Sequence, residues 1–247
     1  LPDNVPGNEF YNLEGKKFSK SEGWYIDTAD FFSKYSVDAL RYAIASNAPE
    51  TSDSQFTWEG FQASNNELAD TLGNLVNRCF SFMKKNFDGK IPAQGELKPE
   101  DKALLDSFAP AFAETGAFYR SYKVRQALTR TMALAIAANK YVNDTAPWTL
   151  RKTDIVRCGT VLNVASRAIV NIAALLYPII PDASLKILAK AGLPAAGAPA
   201  FKPFEGSLDG LALGEDASLL FAKILPEQVK AEVEKLKEMA SAAQAAK

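Results

Sequence analysis

The spacing of apolar residues changes character along the chain. Up to about residue 26 they come in short pieces, NEF, YNL and WYI, punctuated by glycines at 7, 15 and 23. That pattern predicts brief strands and an exposed loop. Asp27 or Thr28 is placed to cap a short helix carrying Phe31 and Phe32. Ser36 is placed to cap a second, from Val37 to about Ser46, with Ala39, Leu40, Ala43 and Ile44 as its apolar side. The stretch PETSDSQFTWEG (49–60) breaks the pattern and reads as a linker. Beyond it the period is helical almost to residue 192, predicting helices near 59–86, 99–117, 121–144, 153–177 and 181–191, with Pro99, Pro147, Pro178 and Pro181 at the breaks.

The expected fold is therefore mainly α. A turn-rich segment (1–48) precedes an antiparallel helical bundle (61–200), and a tail (201–247) follows it. The tail holds a possible short strand at 219–224. Its polar final helix has a narrow seam of Val229, Val233 and Leu236, which suits a solvated terminal helix or a linker onward. The abrupt opening at Leu1, with Pro2, Pro6 and Gly7, reads as the continuation of something longer.

Composition narrows the chemistry. A 47% hydrophobic and 23% charged chain of 247 residues suits one large globular domain or two small ones and is too apolar for disorder. No uninterrupted apolar run reaches the roughly 18 residues of a membrane span, and no signal-peptide pattern opens the chain. The absence of histidine removes Ser-His-Asp and Cys-His nucleophile systems and histidine zinc sites together. Cys79 and Cys158 are too few for a disulfide framework and point to a reducing compartment. Acidic residues show no metal-loop pattern, and no metal is assigned. With a net charge of −1, any RNA contact must come from a local patch. Lys84, Lys85, Arg120, Lys123, Arg125 and Arg130 are candidates for it, each equally readable as a surface residue. Trp24 and Trp58 read as anchors for the turn-rich segments.

Lys16, Lys17, Ser19, Lys20 and Ser21 gather between Gly15 and Gly23. Ammonium groups and hydroxyls on a glycine-flanked loop suit phosphate, although a lysine-rich turn is also an ordinary solvated turn. Farther on, Asn74 and Arg78 are neighbours on one helix, roughly 100–140° from the centre of its apolar stripe. An amide and a planar guanidinium fork can read base edges; a solvated flank with an Asp70–Asn74 contact is the plain alternative. Trp148 follows Pro147 in the connection after a helix. It reads either as a core lid or as a platform on which an unpaired base stacks.

KFSKS (17–21) resembles the KMSKS signature of class I aminoacyl-tRNA synthetases, with Phe18 in place of the methionine. NEF-x-N-x-EG precedes it and DALRYAIAS (38–46) follows, as in that class. PETSDSQFTWEGF (49–61), NNELADTLGNLVNR (65–78) and NKYVNDTAPW (139–148) resemble the methionyl-tRNA synthetase family in particular, over about residues 8–180. The resemblance implies part of a cytoplasmic methionine–tRNA ligase, which activates methionine with ATP and Mg2+ and charges methionine tRNA. It implies that Lys20 stabilises the adenylation transition state, with Lys17, Ser19 and Ser21 on the ATP phosphates. Asn74, Arg78 and Trp148 would recognise the CAU anticodon, and Arg41 would contact tRNA phosphate unless it caps a helix or pairs with Asp38. Glu22 stands where an arginine is common. The HIGH motif and methionine pocket belong to an upstream catalytic domain, so this piece alone is expected to bind RNA without catalysis. A homodimer would form through a domain beyond Lys247. The alternatives are a class I synthetase for Ile, Val, Leu or Cys, and a helical interaction module with no RNA role, marked by Trp148 and Arg78 buried or engaged in intramolecular pairs and by binding to neither tRNA nor ATP.

Overall fold

Side-chain caps set the first helices. In the computed structural model, which describes residues 1–245, Asp27 accepts from Asp30 N and starts α1 (Thr28–Lys34), and Ser36 accepts from Ala39 N to start α2 (Val37–Ser46). Asp38, Ala39, Tyr42 and Ala43 form the buried side of α2, whereas Ile44, expected inside, is exposed. These two helices cross over between strands β1 (Tyr11–Leu13) and β2 (Ser54–Phe56), which pair in parallel with Leu13 opposite Phe56. The 49–60 stretch thus carries a strand. Phe56 and Trp58 are buried with Leu13, Phe31, Tyr35 and Phe61 in a small aromatic core, and Trp24 Nε1 donates to Leu13 O at 2.7 Å.

The larger core surrounds α9 (Ile155–Leu176), which is buried almost throughout and apolar apart from one side that carries Arg157, Thr160, Asn163, Arg167 and Asn171. By length and composition α9 is apolar enough to cross a membrane despite lacking an uninterrupted apolar run, but 94% of that window is buried inside the protein. Around it lie α4 (Asn74–Asn86), α5 (Pro99–Asp106), α6 (Phe108–Arg120), α7 (Val124–Thr145), α8 (Pro147–Thr153) and α10 (Pro181–Lys190). The expected 99–117 helix is two helices. Pro110 lacks the N–H that would bond Asp106 O, and its ring crowds that carbonyl, so α5 stops and α6 begins afresh. The expected 59–86 helix is continuous but irregular: α3 (Trp58–Leu68) passes through a π-turn (Ala69–Gly73) into α4. Pro147 opens α8 instead of ending order there, and its missing N–H costs nothing at a first helical position.

The tail departs most from expectation. No strand forms at 219–224, because side-chain amides of α3 satisfy that backbone. Asn65 Nδ2 donates to Ala222 O at 2.8 Å, Gln62 and Asn66 amides donate to Ile224 O at 3.0 Å, and Ile224 N donates to Asn66 Oδ1 at 3.0 Å. Nor is the last helix, α11 (Pro226–Ala245), solvated all round. It folds back on α3, buries Val229 and Leu236, and pairs Glu232 with Lys34 at 2.8 Å and Lys235 with Asp30 at 2.7 Å. Residues 246–247 of the expected terminal helix lie outside the described residues.

Candidate nucleic-acid interface

Two features stand out, in separate parts of the chain. The first is built by α4, the end of α7 and α8. Ala146 adopts a left-handed backbone (φ 42°), which ends α7 and turns the chain directly into α8. Pro147 is buried, and its carbonyl accepts from Cys158 Sγ at 3.1 Å, so the turn is pinned to α9. Trp148, the next residue, is 41% exposed, too open for a core lid. Arg78 reaches it from α4: the guanidinium carbon lies 5.0 Å from the indole centroid, and Nη2 donates to Asn143 Oδ1 at 2.9 Å. Together with Phe82, Val142, Pro147 and Leu162 they line a cavity of about 200 Å³. Asn74 is exposed one turn earlier on α4, and its side chain makes no hydrogen bond among the described residues. The Asp70–Asn74 contact is absent, since Asp70 pairs with Lys223 at 2.7 Å.

A buried network lies behind this turn. Asp101 Oδ1 accepts from Tyr141 OH at 2.6 Å and from Arg157 Nη2 at 2.9 Å, while Oδ2 accepts from Lys98 N and Arg157 Nη1. Burial pushes the Asp101 carboxyl up, but the hydrogen bonds from Arg157, Tyr141 and Lys98 N outweigh it and hold the group below the usual carboxylate range. The network ties the start of α5 to the end of α7 and the start of α9, the helices on either side of α8, which carries Trp148. Neither Asn143 nor this network was evident as part of the site from sequence. Asn143 lies within the segment that ends in Trp148, and that proximity is the one available signal.

The second feature is the lysine-serine loop. Ser19 and Trp24 bridge backbone to backbone, closing a turn with Lys20 and Ser21 at its exposed tip. The Ser19 and Ser21 hydroxyl oxygens are 3.2 Å apart. Lys16 and Lys17 lie over the rings of Trp24 and Phe10, at 4.6 and 5.2 Å, and Lys20 makes no ion pair among the described residues. An unpaired ammonium beside two hydroxyls on an exposed turn fits a phosphate chain. Gly23 has φ +65°, and the backbone of Met239 in α11 packs so closely that a Cβ there would meet its carbonyl oxygen at 2.3 Å.

Other candidates take plainer places. Arg41 is exposed and makes no ion pair with Asp38; its contacts favour the capping role. Its Nε and Nη2 donate to Ile179 O and Pro178 O at 2.6 and 2.9 Å, just past the end of α9, while Asp38 accepts from Ala183 N of α10. Lys84 and Lys85 are exposed at the end of α4; Arg130 is ion-paired with Glu114. Cys79 and Cys158 are free and buried, with thiols pushed up by burial to about 12 and about 11. No cluster of three or more Cys, Asp or Glu fit for a metal occurs among the described residues.

The lysine-serine loop, Asn74 and Arg78 fall in one matched region, and Asn143 and Trp148 in the other. Residues 1–80 match the model for tRNA synthetases class I (M), and residues 91–241 match that for the anticodon binding domain of methionyl tRNA ligase. A methionine–tRNA ligase from Phocaeicola vulgatus is 42% identical over 246 residues, covering 96% of this chain and 35% of that protein. One from Protochlamydia amoebophila is 45% identical over 190 residues, covering 76% and 27%. The chain therefore spans about a third of the length of these curated relatives. Among solved structures, Mycobacterium tuberculosis methionyl-tRNA synthetase bound by methionyl-adenylate superposes with a TM-score of 0.76 at 27% identity, over 87% of this chain and 43% of that one. Its free state gives 0.75 at 27%, over 88% and 43%.

Proposed function

The chain belongs to the methionyl-tRNA synthetase family, and on that premise we propose that it reads the CAU anticodon of methionine tRNA with Asn74, Arg78 and Trp148. The observation that carries this reading is the Arg78 guanidinium held over the exposed Trp148 ring by Asn143. An unpaired base stacks on an exposed indole with little regard to its identity. Its identity is then read at its edge. The Arg78 fork donates to acceptors such as cytosine O2 and N3, and the Asn74 amide both accepts from an exocyclic amine and donates to a carbonyl. The buried Asp101 network keeps the turn in one place, so the indole is positioned before RNA arrives.

Near the start of the chain, Lys17, Ser19, Lys20 and Ser21 hold the phosphates of ATP, with Mg2+ accompanying the nucleotide. Lys20, at the tip with no ion pair among the described residues, places its charge where the departing pyrophosphate develops its own. The reaction is methionine activation followed by transfer to tRNA, in the cytoplasm. It needs a partner that carries the HIGH motif and the methionine pocket, because this chain has no histidine. Alone, the chain binds RNA and does not form adenylate. The helical-module alternative finds support in the internal Arg78–Asn143 and Arg78–Trp148 contacts, but the exposure of Trp148 opposes it.

Trp148 emission followed during titration with a CAU-bearing anticodon stem-loop tests the reading. Saturable quenching, absent in Trp148→Phe, is expected. Binding that leaves the wild-type indole signal unmoved would refute a stacking role.

A further inference from the structure

A second cavity, of about 450 Å³, opens on the opposite flank of α4 from the Trp148 cavity, between that helix and the tail at 214–223. At about 100° per residue, Arg78 and Phe82 face one flank, Asn77, Phe80 and Lys84 face the other, and Asn74 sits on the crest between. A strand leaving Trp148 across Asn74 therefore enters this cavity next.

Its lining has the parts that a nucleotide needs. Val76, Phe80 and Phe221 give an apolar floor. Ser81 Oγ donates to Asn77 Oδ1 at 3.1 Å, which leaves the Asn77 amide N–H groups free to meet a base edge. Lys84 is exposed without an ion pair among the described residues, free for a phosphate. The two carboxylates at the rim are neutralised, Asp70 by Lys223 at 2.7 Å and Asp216 by Lys190 at 3.3 Å. Backbone irregularity adds to this, because the π-turn at 69–73 forms the upper wall, and such turns concentrate at functional sites.

We propose that this cavity receives the base of the unpaired nucleotide adjoining the anticodon triplet, with Asn77 at its edge and Lys84 on its phosphate. The inference rests on the anticodon-reading role of Asn74, Arg78 and Trp148 and extends it by one nucleotide.

The test uses stem-loops bearing CAU, GAU, or CAU with an abasic position on either side of the triplet, at one fixed salt concentration. The expected result is CAU preferred over GAU, and a loss of about tenfold or more when one flanking base is removed. Asn77→Ala should produce a similar loss on the intact loop and little further loss on the abasic one. Lys84→Ala should lower the salt-dependence slope by about one. Both side chains are exposed, so melting temperatures should hold; the abasic probes need no variant at all. CAU preferred over GAU with no penalty for either abasic loop would overturn this proposal and leave anticodon reading intact. Equal binding of CAU and GAU would overturn both.

Discussion

The Arg78 guanidinium stands 5.0 Å from the centre of the Trp148 ring, although the two residues come from helices 70 positions apart in sequence. A cation at that distance from an aromatic face contributes about 0.5–1 kcal/mol where solvent is near. Planarity also matters: a guanidinium stacks flat on a ring and donates two parallel hydrogen bonds in its plane, whereas an ammonium donates only as a point charge. Arg78→Lys is therefore expected to keep the salt dependence of RNA binding while losing most discrimination among anticodons. Titration at two salt concentrations checks this, and a variant that discriminates like wild type would contradict it.

Trp148→Ala removes the platform and should weaken CAU stem-loop binding by about 1–3 kcal/mol. The side chain is 41% exposed, so thermal stability should move little. A large drop in melting temperature with unchanged affinity would make Trp148 a structural residue instead.

Asp101 is fully buried against Arg157, so Asp101→Asn leaves that guanidinium only the half-exposed Glu100 carboxylate at 3.0 Å as counter-charge, at a cost of about 3 kcal/mol. The pH dependence follows from the lowered folded-state pKa. The unfolded chain takes up this proton first, so the stabilisation is complete above the unfolded value of about 3.9 and is lost as pH falls through the folded value. Wild-type melting temperature should fall more steeply than that of Asp101→Asn below about pH 4. Parallel curves would assign the acid sensitivity to other carboxylates.

Gly23 has a left-handed backbone and no room for a Cβ against Met239. Gly23→Ala should cost about 1–2 kcal/mol from backbone conformation alone and should loosen α11, seen as faster proteolysis within 226–245. Unchanged melting and cleavage would mean that the loop and α11 part easily.

Lys20→Ala should leave stability unchanged, since its ammonium has no ion pair among the described residues. In a polypeptide that also carries the catalytic half, it should slow ATP–pyrophosphate exchange by about 10²–10³-fold. An unchanged exchange rate would remove Lys20 from the chemistry.

Helical periodicity was enough to place Asn74 and Arg78 side by side, because i and i+4 adjacency is a property of any α-helix. Asp27 and Ser36 marked two helix starts for a similarly local reason. What sequence hid depends on distant contacts. Pro147 signals a helix start and a helix stop equally well, so α8, and Trp148 within it, was invisible as an element. The α11 seam is narrow because Glu232 takes a buried position opposite Lys34, a pairing across 198 residues. Backbone at 222–224 looked extended enough for a strand, yet its partners are the side-chain amides of α3. From sequence, Arg41 stays open between phosphate and capping because the carbonyls it caps, Pro178 O and Ile179 O, lie far off along the chain, just past the end of α9.

The most direct test of anticodon reading is a binding titration at one moderate salt concentration, comparing stem-loops that differ only in carrying CAU or GAU, with wild type and Trp148→Ala. A clear CAU preference that collapses in Trp148→Ala is predicted. Equal affinity of wild type for the two loops would contradict it, reducing the bundle to a surface that contacts RNA phosphates without reading a base.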